Sequence, residues 1–110
     1  DCFRTIGTNQ VGFTQDESIM RQNCYAMPAK EFQDICISGV ISSFAYRFVG
    51  DHQIMVDFCS KVRSQHQEIC FKQIGTAIID WFTSSAEAQS LCNNITNPLY
   101  SSWCQSGASS

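Results

Sequence analysis

The chain has 110 residues, with 7 Lys and Arg against 10 Asp and Glu for a formal net charge of −3, a pI near 5.1 and a mean hydropathy of −0.13. That length leaves room for one small domain, and no apolar run approaches the roughly 20 residues needed to cross a bilayer, so no membrane span is expected. The mildly acidic balance argues against a phosphate-backbone partner, and no nucleic-acid role is expected.

Apolar residues at helical spacing, caps and breakers predict helices near 3–13, 16–26, 28–49, 51–63, 66–82, 85–95 and 98–104, followed by a flexible tail over 105–110. Three of them begin at the N-cap types Asp16, Asp51 and Ser84. Such side-chain oxygens accept the unpaired amide hydrogens of a first turn, and Ser84 with Glu87 has capping-box spacing. Pro28 and Pro98 stand where a helix can begin without losing a hydrogen bond, and Gly50 marks a break before Asp51. Cys36, Val40, Phe44 and Phe48 share one helical face, and Cys70, Ile74, Ala77, Ile78, Trp81 and Phe82 share another. The segment most like a strand, Ile54 to Phe58, follows a cap, so the predicted fold class is all-α.

The cysteines repeat. Cys2, Cys36, Cys70 and Cys104 are each 34 residues apart, while Cys24, Cys59 and Cys92 are 35 and 33 apart. Cys2-Phe3-Arg4-Thr5-Ile6-Gly7-Thr8 reads against Cys70-Phe71-Lys72-Gln73-Ile74-Gly75-Thr76, and Asp16 and Asp51 each stand eight residues ahead of a cysteine. An apolar residue follows at the third position after Cys24, Cys59 and Cys92: Met27, Val62 and Ile95. The expectation is a disulfide-stabilised helical bundle over residues 1–104, built from three imperfect helix-turn-helix copies at about 2–35, 36–69 and 70–103.

Seven cysteines without any C-x2-C or similar metal spacing point to disulfides. No metal site and no cofactor are expected, and disulfide use points to a secreted, extracellular protein. A start at Asp1-Cys2 reads as a mature chain whose leader has been removed. Asn94-Ile95-Thr96 is an N-glycosylation sequon, usable in a eukaryotic secretory pathway. The repeat favours two pairing schemes. Within copies, Cys2 pairs with Cys24, Cys36 with Cys59 and Cys70 with Cys92, leaving Cys104; between copies, Cys24 pairs with Cys36, Cys59 with Cys70 and Cys92 with Cys104, leaving Cys2. The odd cysteine, Cys104 or Cys2, is then a candidate for an intermolecular bond or a free thiol. The C-terminal stretch Pro98 to Cys104 carries the lead-in that precedes Cys36 and that Cys2 lacks. The two ends can therefore pack within one molecule, or join molecules head to tail.

Catalytic chemistry has few candidates. His66 and Glu68 are two residues apart and point in different directions on a helix, and His52 follows Asp51 in a first turn, so both histidines read as solvated surface residues. There is no Gly-rich phosphate loop, no His-Glu-x-x-His and no calcium loop. No catalytic residue is assigned and no enzymatic activity is expected. The 8 Phe, 3 Tyr and 2 Trp can line a pocket for an apolar or lipid ligand. Their helical spacing is met more simply if Phe44, Phe48, Phe58, Trp81 and Phe82 fill the core. Gly7 and Gly75, at matching places inside predicted helices, point to close helix-helix approach. The functional expectation is binding to another protein or self-assembly, as an extracellular ligand, toxin or effector, or assembly subunit. The alternative is a carrier of a small apolar ligand.

Overall fold

A computed structural model describes residues 17–109, which form six α-helices and no strand. In chain order these are α1 (Glu17–Tyr25), α2 (Lys30–Arg47), α3 (His52–Ser60), α4 (Ser64–Ile78), α5 (Ser85–Asn93) and α6 (Pro98–Ala108), with a single 3-10 turn at Ile79–Trp81 extending α4. The helix expected at 3–13 and the cap expected at Asp16 lie outside the described residues.

Local chemistry accounts for most boundaries. Ser84 Oγ accepts from the Glu87 amide and opens α5. Asn97 Oδ1 accepts from the Leu99 and Tyr100 amides at 2.9 and 3.2 Å, with Pro98 as first residue of α6. Gly50, at φ 89°, makes the left-handed turn that separates α2 from α3. Two expected starts work differently. Asp51 precedes α3, yet its side chain makes no cap hydrogen bond. Pro28 lies ahead of α2, whose N-cap is Ala29.

The helices pair into three hairpins, and each is closed by one disulfide: Cys24–Cys36, Cys59–Cys70 and Cys92–Cys104, with Cα–Cα distances of 5.4, 5.6 and 5.5 Å. α1, α3 and α5 are each 9 residues long and carry their cysteine one residue before the end. The amide three residues on donates back to that cysteine's carbonyl: Met27 to Cys24 at 3.1 Å, Val62 to Cys59 at 3.3 Å and Ile95 to Cys92 at 3.1 Å. This turns Val62 and Ile95 into the core. The pairing within 34-residue copies is not the one formed. Cys104, one of the two candidates for a free thiol, is bonded to Cys92, because α5 and α6 fold back on each other across a short turn.

α2 is the longest helix, at 18 residues. It packs on α1, α3 and α4, and Cys36 to Ile41 are buried without interruption, so it lacks a solvated face there. Phe58 and Phe71 are wholly buried, each contributing about 2–3 kcal/mol by removal from water. Phe48 departs from expectation: α2 stops at Arg47, the helical path ends, and the ring is 41% exposed rather than in the core.

α4 and α6 form the most extensive helix pair. Phe71 stacks on Tyr100 with ring centroids 4.1 Å apart, and Thr76 Oγ1 donates to the Gly107 carbonyl at 3.3 Å. The expected tail is therefore partly wrong: α6 runs through 105–108, and Gly107 and Ala108 are buried against α4. A Cβ on Gly107 would collide with the Lys72 carbonyl, so glycine permits the contact that orders this end.

Candidate functional site

Three places hold the sequence-assigned residues or concentrate polar chemistry. The first is the cysteine framework. Six of the seven cysteines are bonded to one another in α1 to α6. Cys2, the remaining candidate for an intermolecular bond, lies outside the described residues, and no other cysteine of the chain is left to pair with it.

The second is a polar cluster between α2 and α4. His66 is wholly buried, and its Nδ1 lies 2.6 Å from Asp34 Oδ1. A carboxylate only accepts, so Nδ1 is the donor. Asp34 Oδ2 accepts from Lys30 Nζ at 2.7 Å. The Tyr25 ring stacks on the imidazole at 5.7 Å, and the Arg63 guanidinium lies over the Tyr25 ring, 4.0 Å from its centroid. The Arg63 amide donates to Tyr25 Oη at 3.0 Å. His66 Nε2 is buried with no hydrogen-bond partner among the described residues. The surface position expected for His66 is overturned. Its carboxylate is not Glu68, two residues on, but Asp34, 32 residues back and brought in by packing of α2 on α4. The His66 ring is sealed from solvent while the Asp34 side chain keeps 16% of its surface exposed, and the pair ties two helices together. His52, in contrast, is half-buried and borders a shallow depression with Asn94, Thr96 and Tyr100.

The third is the surface beside the C-terminal end of α2. Tyr46 and Val49 are 86% and 68% exposed. They border a groove of about 400 Å³ with Ser42, Gln73 and Trp81, where Trp81 Nε1 donates to the Ala45 carbonyl at 2.9 Å. Phe44 and Phe58, expected to fill the core, pack against each other there with centroids 5.6 Å apart.

Asn94, the sequon residue, caps the C-terminal end of α5 and is exposed, as is Thr96. Among the described residues no three metal-ligating side chains converge, and no helix is long and apolar enough to cross a membrane. Spacing arguments missed Asp34, Tyr25 and Gly107. Only the Lys30/Asp34 interval, four residues on one helix, gave a signal, and that concerned an ion pair rather than the buried histidine. No protein family, curated protein or solved structure matches the chain.

Proposed function

We propose that the chain is an extracellular, disulfide-braced helical protein that acts by binding another protein or by assembling with itself, with Cys2 as the point of covalent attachment. The observation that carries this reading is the cysteine count: six cysteines are consumed in three intramolecular bonds, and the seventh has no partner in the chain. Small chains with this density of disulfides belong to oxidising compartments, where a leftover cysteine either pairs between molecules or stays a reactive thiol. Two thiols, one of them that of Cys2, join into a disulfide as two protons and two electrons pass to a disulfide oxidant of that compartment.

The matched turns and cysteine positions support three copies of one unit. In this reading each described hairpin, a nine-residue helix, its turn and the helix that follows, joins parts of two successive copies. Exposure of Asn94 and Thr96 supports use of the sequon in a eukaryotic secretory route. We assign no catalytic residue and no cofactor.

The test is the intact mass of natively purified protein, with free thiols alkylated and with or without reduction. An unreduced mass that includes a second polypeptide, released by reduction and mapped to Cys2, is the expected result. A monomer carrying three disulfides and an alkylated Cys2 refutes covalent association.

A further inference from the structure

The depression bordered by His52 lies where α3 faces the turn between α5 and α6. It holds about 240 Å³ and is lined by His52, Gln53 and Val56 of α3, by the sequon Asn94-Ile95-Thr96 and by Tyr100. Apolar and polar groups share the lining. Ile95 is only 7% exposed and half-buried Val56 packs against the same core, while His52 is half-buried and Gln53 exposed. Spacing on α3 explains the grouping, since positions 52, 53 and 56 fall on one helical face.

Two asparagines stand side by side at the end of α5, and they differ. Asn93 Oδ1 accepts from Gln105 Nε2 at 2.6 Å. The Asn94 side chain is exposed and has no hydrogen-bond partner among the described residues. α3, for its part, packs chiefly on α2 and α4. Its end is linked to α6 through Gln67 of α4, whose Nε2 donates to the Ser60 carbonyl and to Tyr100 Oη at 3.2 and 3.3 Å. The depression is thus a gap between two hairpins that the polypeptide itself bridges indirectly.

We propose that this depression seats the first N-acetylglucosamine of a glycan carried on Asn94, and that the sugar ties α3 to the α5–α6 turn. The inference rests on use of the sequon, and it is independent of covalent association through Cys2. Attachment forms a bond from Asn94 Nδ2 to the anomeric carbon of a lipid-linked oligosaccharide, while the bond from that carbon to the lipid diphosphate breaks and Nδ2 gives up one proton. The occupant follows from the lining. A pyranose has faces of C–H groups and an edge of hydroxyl and acetamido groups, so it covers Val56 and Ile95 with a face and needs polar partners at its edge. His52 supplies ring nitrogens that have no partner among the described residues. Gln53 donates through Nε2 to Asp57 Oδ1 at 2.9 Å, which leaves its carbonyl oxygen as an acceptor. The volume holds one sugar ring and leaves the rest of the glycan in solvent. Because the ring is tethered to a residue of the lining itself, weak contacts suffice to hold it there.

The test uses the full, oxidised chain secreted from a eukaryotic cell, in three forms: with its whole glycan, trimmed by an endoglycosidase to the single sugar on Asn94, and without sugar as Asn94→Gln. Peptide mass gives the occupancy of Asn94. The single-sugar form is expected to unfold about 4–8 °C above Asn94→Gln, the shift that one hydrogen-bonded contact produces in a domain near this size, and to match the fully glycosylated form. His52→Ala should shrink that gap by at least half when made in both backgrounds, a comparison that cancels whatever the substitution does without sugar. If Asn94→Gln is not secreted, amidase removal of the glycan from the folded parent, which leaves an aspartate, supplies the sugar-free form. An unmodified Asn94 refutes use of the sequon and the seat together. A modified Asn94 whose single-sugar form melts with the sugar-free form overturns the seat alone, as does a gap that His52→Ala leaves unchanged. Stabilisation that needs the outer sugars also overturns it, because the bulk of the glycan is then responsible.

Discussion

Gly75→Ala sets two effects of opposite sign against each other. In an exposed helix interior the change is favourable by about 1 kcal/mol, because alanine loses less backbone entropy than glycine. In α4 the added methyl would stand 2.7 Å from the Ala108 nitrogen and 2.9 Å from the Cys104 carbonyl carbon, where ordinary contact begins at 3.4 Å. α6 must retreat by at least 0.7 Å along this line. It is backbone, not a flexible side chain, that has to move. α6 is also tethered by Cys92–Cys104 and by the Ser101 hydroxyl donating to the Cys92 carbonyl at 2.9 Å. Overpacking of this kind costs about 3 kcal/mol or more, so the net effect is a loss of about 2 kcal/mol after the propensity gain. At roughly 4–8 °C per kcal/mol for a domain near this size, the midpoint falls by about 8–16 °C. Thermal denaturation followed by far-ultraviolet circular dichroism, disulfides intact, measures it. Gly50→Ala is the control, because it meets no atom within 4 Å and its φ is 89°; its cost, about 1–2 kcal/mol, comes from backbone conformation alone. A Gly75→Ala protein as stable as the parent, or more stable, refutes the close α4–α6 approach.

Asp34→Ala leaves the His66 ring buried with Nδ1 unpartnered and is expected to cost about 1–3 kcal/mol in urea denaturation; an unchanged midpoint means the buried pair is not a tie between α2 and α4. Replacing Cys59 and Cys70 together by serine opens an 11-residue loop and should cost about 2–4 kcal/mol, with the loss seen as a lower urea midpoint under non-reducing conditions. Ser84→Ala removes a side chain that accepts from the Glu87 amide and should cost about 1 kcal/mol. Asp51→Ala, which removes no cap bond, should fall within about 0.5 kcal/mol of the parent; equal costs at both positions would contradict the observed capping.

What was legible in the sequence was local. Ser84 before Glu87, Asn97-Pro98 and Gly50 each act within one turn of their own position, and helices start or stop there. Periodicity placed Phe44 and Ile74 in the core and failed at Phe48, because the helix carrying the period ends one residue earlier. Composition failed at Gln105 to Ala108. Ser and Gly read as a tail when taken alone, but Gly107 is small because α4 passes over it. His66 shows the same limit. A test confined to neighbours in sequence sees Glu68 and cannot see Asp34, 32 residues away.

The disulfide pairing lies between these cases. Loops of 12, 11 and 12 residues were formed, whereas pairing within copies would close loops of 22 to 23 residues, from Cys36 to Cys59 or Cys70 to Cys92. Loop-closure entropy separates such lengths by only about 0.5 kcal/mol, too little to choose a partner. The deciding feature is the turn. In each hairpin the amide three residues after the cysteine bonds to the cysteine's carbonyl, the chain reverses, and the next helix returns alongside with its own cysteine at 5.4 to 5.6 Å. The apolar residue at that third position, Met27, Val62 or Ile95, packs with the core and fixes the direction of reversal. Cysteine intervals measure how far apart partners are along the chain; the turn residues determine which neighbouring helix each cysteine faces.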